Sequence, residues 1–490
     1  MRKRTAKKLV KCVDDILSSM EMLTKFKGNS YMVSKVKKVC SDNTAVLETE
    51  KDAGQRYSEL LNEFKKKIES SDIEGAKKTA DDFKNLISDS IVYKVVFMPY
   101  KASMWDSLES VWMAADKDKR CEAVVVPITH YELDSNRNPA KRVNEREEFP
   151  EYVPVVNDEE YDLENDRPDI IYIHNPYDDT NLVTRVESRY YSWNLKKYCE
   201  KLVYIPYYNW VDGVSSTSFK PAMYYADYTV QSSDDAVRRC LEASPEYAKS
   251  LGMETVEVWD VMKHKLINLG SPKVDKVVSL HNEKMEMPGE WEGKIRKDRV
   301  NVVYNTTIDE ILKSRSLEKV RRTLSYFKFN SDKAFVIWRP HPLLKQTLVS
   351  MIPGLVHEYD KMVEIFSKGN YGVIDNNASM YYSIYWSDMY YGYKSSSMTE
   401  LYKYTGKVVL NDLPKKIKSE TNYDFDSLSN ELRKTNSISE ESYSLKEVVD
   451  FIADHEDLKK GKAAVIYNSG EIINDYIMKE VSMEARSARE

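Results

Sequence analysis

The residues best suited to chemistry stand where an apolar run ends in Arg-Pro-His-Pro. Residues 334–338 (Ala-Phe-Val-Ile-Trp) are typical of a buried strand, and Arg339 and His341 follow directly. An Arg guanidinium forks onto two phosphate oxygens, and a His imidazole donates a further hydrogen bond or transfers a proton. Ligands of open α/β sheets bind beyond the carboxyl ends of strands. The motif therefore indicates a phosphate-binding strand end, although a strand ending in a surface Arg and a loop His explains it equally well.

A second loop has a similar character. Lys394, Ser395, Ser396 and Ser397 follow another apolar run and precede a helical pattern that contains Glu400. Serines at a helix start cap free backbone N–H groups, and the same groups attract phosphate. Ordinary N-capping explains the serines on its own. Their position after a strand of the same predicted sheet favours phosphate binding.

The elements that must position these loops follow from hydrophobic periodicity. Strands alternate with helices over residues 91–268 and again over 299–490, which predicts two Rossmann-like domains with parallel sheets, facing across a cleft. Gly, Pro and charged residues at 269–298 indicate a linker. A helical period over residues 1–90 predicts a helical hairpin or short coiled coil that could self-associate.

Composition excludes several classes of protein. The 490 residues are 42% hydrophobic and 31% charged, as in globular proteins, and a net charge of −6 argues against a nucleic-acid partner. Five scattered Cys without a CxxC pair indicate a reduced cytoplasmic compartment and no metal site. Gly-rich dinucleotide and P-loop motifs are missing. The basic start lacks a signal-peptide core, so we expect a cytoplasmic protein, with contact at the inner membrane face left open.

A family resemblance rests on the order of short segments in the second half of the chain. They are Arg339-Pro340-His341-Pro342, Val373-Ile374-Asp375, Ser387-Asp388, Ser395-Ser396, Glu400 and Gly406-Lys407-Val408. Together with Gly-Ser-Pro-Lys-Val-Asp at 270–275, this series resembles the CDP-glycerol glycerophosphotransferase (teichoic acid polymerase-like) family. The resemblance implies α/β architecture of the glycosyltransferase-B type.

The resemblance also implies a donor site. A CDP-polyol would bind the carboxyl-terminal domain, with Arg339 and His341 at its pyrophosphate and Ser395 and Ser396 holding it through hydroxyl and N–H groups. Glu400 would contact ribose or cytidine. An acceptor hydroxyl on a glycan, a lipid-linked molecule or a polyol phosphate would attack the phosphorus next to glycerol, and CMP would leave. The CDP-polyol is a substrate, so no cofactor is implied.

The amino-terminal domain departs from the family pattern. The family usually has His-Gly-Thr after a strand, with the His as base, whereas residues 202–206 are followed by Tyr207. His174, near Asp178 or Asp179, is an alternative base, but a structural role fits it equally well. Tyr207 could line the acceptor site, and a phenol with a pKa of ~10 is a poor base.

Three functions are therefore expected. The leading one is a glycerophosphotransferase of cell-envelope polymer synthesis. The second is a glycosyltransferase that uses a nucleotide sugar, and the third is a catalytically inactive binding or scaffold protein, which the missing His-Gly-Thr favours. Residues 103–106, after the first strand of the first domain, could also face the cleft.

Overall fold

The computed structural model describes most of the chain. The described residues are 1–25, 29–50, 54–208, 219–250, 252, 255–377, 379–394, 396–412, 425–440, 442–462 and 468–487. None of the helices in these ranges combines the length and the apolar character that crossing a bilayer requires.

The described residues of the amino-terminal extension form four helices, where the sequence predicted a helical hairpin or a short coiled coil. Their bounds are α1 (Lys3–Lys25), α2 (Ser30–Leu47), α3 (Gln55–Glu69) and α4 (Ile73–Asp89). The side chains of Asn29 and Asp72 cap α2 and α4 and so divide the helical segment. Helix α1 packs on α2 and α4, and α3 packs on α4. The apolar faces form one core with the first domain, because Ile16 and Phe83 belong to the same buried cluster as Phe97.

The basic start of the chain is docked on the first domain. The amino group of Met1 donates to the carbonyl of Ser90 at 2.6 Å, and Arg2 pairs with Asp166 at 2.9 Å. Lys3 is fully buried and forms an ion pair with Glu200. Arg2 and Lys3 are therefore engaged by carboxylates of the same chain, and membrane contact stays a prediction.

The first domain is built on a six-stranded parallel sheet. Its elements are β1 (Tyr93–Met98), α5 (Glu109–Lys117), β2 (Cys121–Val125), β3 (His130–Leu133), β4 (Pro139–Val143), α6 (Leu163–Asp166), β5 (Ile170–Ile173), β6 (Thr184–Val186), α7 (Ser192–Leu195), β7 (Lys201–Tyr204), α8 (Pro221–Tyr225), β8 (Tyr228–Gln231), α9 (Asp234–Ser250), α10 (Thr255–Lys265) and β9 (Leu266–Asn268). The strand order is β2-β1-β5-β7-β8-β9, and β4-β3-β6 form a small antiparallel sheet beside it. Short 3-10 helices lie at Ala102–Ser107, Arg146–Glu148 and Ser188–Tyr190.

Helix α11 (Pro272–Ser279) and a 3-10 turn at Gly289–Trp291 connect the first domain to a second six-stranded parallel sheet. The second set of elements comprises β10 (Val300–Thr306), α12 (Ile308–Ser314), α13 (Glu318–Phe329), β11 (Ala334–Pro340), α14 (Leu344–Met351), α15 (Val356–Ser367), β12 (Gly372–Ile374), α16 (Tyr381–Trp386), β13 (Met389–Tyr393), α17 (Ser397–Lys403), β14 (Val408–Asp412), α18 (Phe425–Lys434), β15 (Ser437–Ser439), α19 (Leu445–Ala453), α20 (Glu456–Lys460) and α21 (Ser469–Ser487). The strand order is β12-β11-β10-β13-β14-β15. The predicted fold class is confirmed in that the chain forms two Rossmann-like α/β domains, each built on a parallel sheet.

The last helix returns to the first domain. The sequence-based division assigned α21 to the carboxyl-terminal domain, whereas Ile473, Ile477 and Met478 lie in the core that contains Phe97. Helix α21 packs on α5 of the first domain, and its Met478 sulfur lies 3.4 Å from the sulfur of Cys121. The apolar face of α21 covers the side of α5 and β2 that would otherwise be exposed, which explains the difference.

Candidate functional site

The carboxyl edge of the second sheet brings two predicted loops to either side of β10. In register, Asn305 of β10 lies beside Arg339 of β11 on one side and Gly392 of β13 on the other. The N–H of His341 donates to the carbonyl of Thr306 at 2.9 Å. On the opposite side, the Asn305 amide donates to the Ser396 hydroxyl at 2.8 Å. One strand end therefore holds both loops.

His341 has a defined tautomer and one available nitrogen. Its Nδ1 accepts the N–H of Leu343 at 3.1 Å, so a neutral ring carries its proton on Nε2. Burial, followed by the charge of Arg339, lowers the pKa of His341 to about 4, which keeps the ring neutral at physiological pH. No described residue hydrogen-bonds Nε2. The ring therefore presents an N–H donor at the strand end, a group that an anionic oxygen accepts.

Arg339 is engaged by the protein. Its buried guanidinium donates to the carboxylate of Asp375 at 2.6 Å and to the carbonyl of Asn377 at 3.0 Å, and the hydroxyl of Ser383 also donates to Asp375. The sequence predicted contact between Arg339 and a pyrophosphate. In the structure its described contacts hold the loop after β12 against the end of β11, which is a positioning role.

The serine loop is partly described. Ser396 is the N-cap of α17, and its hydroxyl accepts the N–H of Met398 at 3.2 Å in addition to the Asn305 amide. Ser397 begins the helix, and Ser395 lies outside the described residues. The two hydrogen bonds to the Ser396 hydroxyl hold the loop in place and agree with the N-capping alternative. The loop nevertheless lies beside the end of β10, as phosphate binding would require.

The two charged residues of this loop differ in their contacts. Lys394 is exposed and forms no ion pair with any residue in the described ranges, so its ammonium is available to an anion. Glu400, predicted to contact a ribose or cytidine, pairs with Lys403 at 2.7 Å, and both side chains are partly exposed. An exposed pair of this kind contributes ~0–1 kcal/mol to stability, so a ligand could displace Lys403 at little cost.

His174, a predicted base, is buried at the end of β5. Its Nε2 accepts the N–H of Tyr100 at 3.0 Å, and its Nδ1 lies 3.1 Å from both the carbonyl of Met104 and the hydroxyl of Ser107. Burial lowers the pKa of His174 to about 3. Both nitrogens are engaged, so the ring joins the 3-10 helix at Ala102–Ser107 to the strand ends and has no nitrogen left for an acceptor proton.

The carboxylate of Asp178, one of two that the sequence suggested could orient His174, is hydrogen-bonded to another residue. Asp178 accepts the N–H of Ser192 at 2.9 Å and also the Ser192 hydroxyl. Burial raises the pKa of Asp178 to about 7, and no hydrogen bond joins Asp178 or Asp179 to His174 in the described part of the chain. Asp178 therefore anchors the start of α7 rather than a catalytic histidine.

Tyr207 belongs to a cluster of aromatic rings that includes Tyr177 and His174. Its hydroxyl lies 3.0 Å from the hydroxyl of Tyr177, and its ring contacts His174 edge-on, with centroids 6.3 Å apart. Burial, followed by the charge effect of Tyr177, raises the pKa of Tyr207 well above its ordinary value, so the phenolate that could accept a proton is even scarcer at neutral pH than in a free phenol. The pKa of Tyr177 is raised by burial and, to a smaller extent, by Asp309 of the second domain. Asp309 is in the first turn of α12, so Tyr177 lies within reach of the charge at the start of that helix.

A buried ionic network joins the domains. Both carboxylate oxygens of Asp106 lie close to the ammonium of Lys273, at 2.7 and 2.5 Å, and Tyr381 donates to Asp106 at 2.6 Å. The first domain, α11 and the second domain each contribute one of these residues. The suggestion that residues 103–106 face the cleft agrees with the position of Asp106. Sequence reasoning missed Lys273 and Tyr381 because no local pattern marks a contact between distant segments.

The fold and site define an α/β protein with two Rossmann-like domains, which are joined by the contacts of Asp106 with Lys273 and Tyr381. No protein-family model matches the sequence, and no curated protein matches it either. Similar solved structures include the wall teichoic acid polymerase TagF, with 11% identity and a TM-score of 0.43 over 88% of this chain and 99% of that chain.

Two further similar solved structures have a bound uridine nucleotide. UDP-GlcNAc 2-epimerase from Neisseria meningitidis, bound to UDP-GlcNAc, has 11% identity and a TM-score of 0.45 over 79% of this chain and 100% of that chain. S. aureus MnaA with UDP has 12% identity and a TM-score of 0.43 over 79% and 97%. At these values the function has to be inferred from the residues of this chain.

Proposed function

We propose that the protein is a transferase that binds a nucleotide-activated donor at the carboxyl edge of the second sheet. We further propose that the donor is a CDP-activated polyol such as CDP-glycerol, and that its polyol phosphate is transferred to an acceptor hydroxyl in cell-envelope polymer synthesis. The observation that carries the proposal is His341, whose Nε2–H has no described partner between two loops held by β10. A neutral N–H donor at a parallel strand end suits a phosphate oxygen.

The roles differ from those that the family resemblance implied. His341 Nε2–H and the ammonium of Lys394 are the proposed donors to the pyrophosphate, with Ser395 and Ser397 as further contacts. Arg339 supports the His341 loop through Asp375. Placing hydrogen-bond donors around the phosphates neutralises charge that develops on the leaving group.

The transfer step is a displacement at phosphorus. The acceptor hydroxyl oxygen forms a bond to the phosphorus next to the polyol, and the bond from that phosphorus to the bridging oxygen breaks. CMP leaves with the electron pair of that bond, and the hydroxyl proton passes to solvent or to a base. Because the transition state is loose, positioning and charge neutralisation contribute more than a strong base. Such a step does not require a strong base, so it is compatible with a first domain in which His174 and Tyr207 are already hydrogen-bonded within the protein.

A ligand panel tests the donor site. Thermal unfolding is measured with CDP-glycerol, CDP-ribitol, CMP, UDP-GlcNAc and a GDP-sugar, on the wild type and on His341→Ala. Ligand at 100 times its Kd stabilises the folded state by ~2.7 kcal/mol, so CDP-glycerol should raise the Tm of the wild type by a few degrees. His341→Ala should lose most of that rise. His357→Ala, which removes an exposed histidine of α15, is the matched control and should retain it. An unchanged rise in His341→Ala contradicts the proposed site, and a rise with UDP-GlcNAc alone identifies a nucleotide-sugar enzyme.

A catalytically inactive nucleotide-binding protein is the second candidate. The observation that favours it is the engagement of both nitrogens of His174 together with the raised pKa of Tyr207. Release of CMP from CDP-glycerol in the presence of polyol-phosphate and glycan acceptors distinguishes the two. Binding without CMP release across the acceptor panel supports the inactive protein, and acceptor-dependent release supports the transferase.

A further inference from the structure

A buried acidic cluster lies at the carboxyl edge of the second sheet, on the side of β10 away from His341. Asp412, the last residue of β14, is fully buried, and Glu310 lies in the first turn of α12, which follows β10. These two residues are the carboxyl pair. The ammonium of Lys319, in the first turn of α13, lies 3.1 Å from Glu310 and also contacts Asp412. One lysine therefore joins α12, α13 and β14, and the proposed donor site uses none of these three side chains.

The carboxyl pair has too little positive charge around it to be fully ionised at low cost. All four of its oxygens are buried, and no N–H or hydroxyl group in the described part of the chain donates to them apart from the Lys319 ammonium. Two negative charges would therefore face one positive charge. Burial and a neighbouring like charge both disfavour ionisation of a carboxyl group, so retention of one proton relieves the excess.

The surrounding groups do not supply a second positive charge. Glu440, which follows β15, accepts the hydroxyl of Tyr391 at 3.0 Å and adds a further negative charge near Asp412. Tyr304 of β10 and Tyr391 of β13 lie next to the carboxyl pair, and burial raises the pKa of each well above its ordinary value, so both remain neutral. Among the residues that the structure describes, Lys319 is thus the only cation that pairs with the carboxyl pair.

The pKa values agree with this count of charges. Burial, only partly offset by Lys319, raises the pKa of Asp412 to about 7. Burial also raises the pKa of Glu310, and the charge of Asp412 and a hydrogen-bond contact with that carboxyl group raise it further. Two carboxyl groups within hydrogen-bond reach of each other are the arrangement in which one proton serves both.

We propose that the carboxyl pair holds one shared proton in mildly acidic solution, releases it to solvent as the pH rises above neutral, and thereby loosens the contact between α12 and β14. In the protonated state one carboxyl group donates its O–H to the other, whose negative charge Lys319 balances. After release, two carboxylates repel each other across the contact. Helix α12 starts directly beyond Thr306, whose carbonyl accepts the N–H of His341 at 2.9 Å, so this switch adjoins the proposed donor site. Regulation of that site rests on the proposed function, whereas the switch itself does not.

Thermal unfolding of Asp412→Asn as a function of pH tests the switch. Between pH 3.8 and about 7 the folded protein keeps a proton that the unfolded chain has lost, so this stabilising contribution is full below the window and is lost as the pH rises through it. Asn mimics the protonated carboxyl group. The Tm of the variant should match that of the wild type at pH 5 and exceed it by a few degrees at pH 8. The matched control Asp360→Asn removes a partly exposed pair with Lys345 and should show the same small difference at both pH values.

Glu310→Gln tests whether the proton is shared. Removing either carboxyl group leaves the other with Lys319, so this variant should also exceed the wild type in Tm at pH 8. The double variant Glu310→Gln/Asp412→Asn leaves the Lys319 ammonium without a counter-ion and should be less stable at pH 8 than either single variant. If both single variants instead lower the Tm by several degrees at pH 8, the carboxyl pair is fully ionised and stabilising, and the inference fails.

Amide hydrogen exchange measures the loosening of α12. At pH 8 the amides of α12 should exchange several-fold more slowly in Asp412→Asn than in the wild type, whereas at pH 5 the two proteins should agree. Equal exchange at pH 8, or a Tm difference that does not change with pH, would overturn the inference. None of these measurements uses a nucleotide, so a failed donor site and a failed switch give separate results.

Discussion

Two histidines at the ends of parallel strands, His174 in the first domain and His341 in the second, show how similar positions acquire different chemistry. Burial lowers the pKa of each, to about 3 and about 4 respectively, so both rings are neutral at physiological pH. His174 has hydrogen bonds at both nitrogens, whereas His341 has one at Nδ1 only. Strand-end position is therefore insufficient to indicate function, and the nitrogen that remains available decides it.

The surroundings explain the difference. The end of β5 is closed by the 3-10 helix at Ala102–Ser107, whose Met104 carbonyl and Ser107 hydroxyl lie 3.1 Å from the His174 ring. The end of β11 is supported from the side, because Arg339 and Asp375 form the buried pair and His341 lies beyond it. His174 is thus part of the hydrogen-bond network that closes its strand end. His341, by contrast, is a neutral ring that lies beyond the buried Arg339–Asp375 pair.

The largest expected effect comes from breaking the pair that supports His341. Asp375→Asn leaves the Arg339 charge buried without its partner and should destabilise the protein by ~3–5 kcal/mol in denaturant unfolding. The matched control, Glu364→Gln, removes an exposed i,i+4 pair with Lys368 and should cost ~0.5 kcal/mol or less. Equal effects of the two variants would show that the Arg339–Asp375 pair does not support the strand end.

Alanine at each histidine compares the two strand ends directly. His174→Ala removes a ring with hydrogen bonds at both nitrogens and leaves the Tyr100 N–H buried, so it should destabilise the protein by ~1–3 kcal/mol. His341→Ala should lower the free energy of unfolding by less than ~1 kcal/mol, because it removes only the hydrogen bond at Nδ1. The same substitution should abolish most of the stabilisation that the nucleotide provides. Denaturant unfolding with and without CDP-glycerol measures both quantities. A His174→Ala variant that is fully stable but cannot release CMP would reverse the assignment.

The pH dependence of stability should reveal both histidines. The pKa of His174 is about 3 in the folded protein against 6.5 for the unperturbed group, so between these values the unfolded chain binds a proton that the folded state does not. The free energy of unfolding is therefore complete above pH 6.5 and falls as the pH decreases towards 3, by up to ~1.4 kcal/mol per pH unit for one proton. For His341 the window ends at about 4.

Because other groups also titrate in this pH range, the contribution of each histidine is the difference in unfolding free energy between the wild type and a variant that lacks that histidine. The stability difference between wild type and His174→Asn should shrink as the pH falls through this window, and the same holds for His341→Asn over its shorter window. A difference that stays constant down to pH 4 would show that the ring is already protonated or exposed in the folded protein.

The sequence allowed the fold to be predicted more completely than the site. Apolar runs such as residues 334–338 predict buried strands because burial and strand pairing depend on the local pattern. The direction of a side chain at a strand end depends on partners far away in the chain. Asp375 lies 36 positions from Arg339, and Tyr381 lies 275 positions from Asp106. For the same reason the sequence could not show that both nitrogens of the His174 ring have hydrogen-bond partners.

The smallest expected effect concerns Tyr207, the other predicted base. Tyr207→Phe keeps the ring and its edge contact with His174 and removes only the hydroxyl that lies 3.0 Å from Tyr177. The free energy of unfolding should fall by ~1 kcal/mol or less, because one hydrogen bond is lost. The rate of CMP release should change by about twofold at most, because a phenol with a strongly raised pKa stays protonated at neutral pH and does not act as a base. The matched variant Tyr177→Phe removes the partner hydroxyl and should behave alike. A loss of ~100-fold or more in Tyr207→Phe alone, at unchanged stability, is the size expected for a general base. That result would locate proton transfer in the first domain after all, on the tyrosine rather than on the engaged histidine.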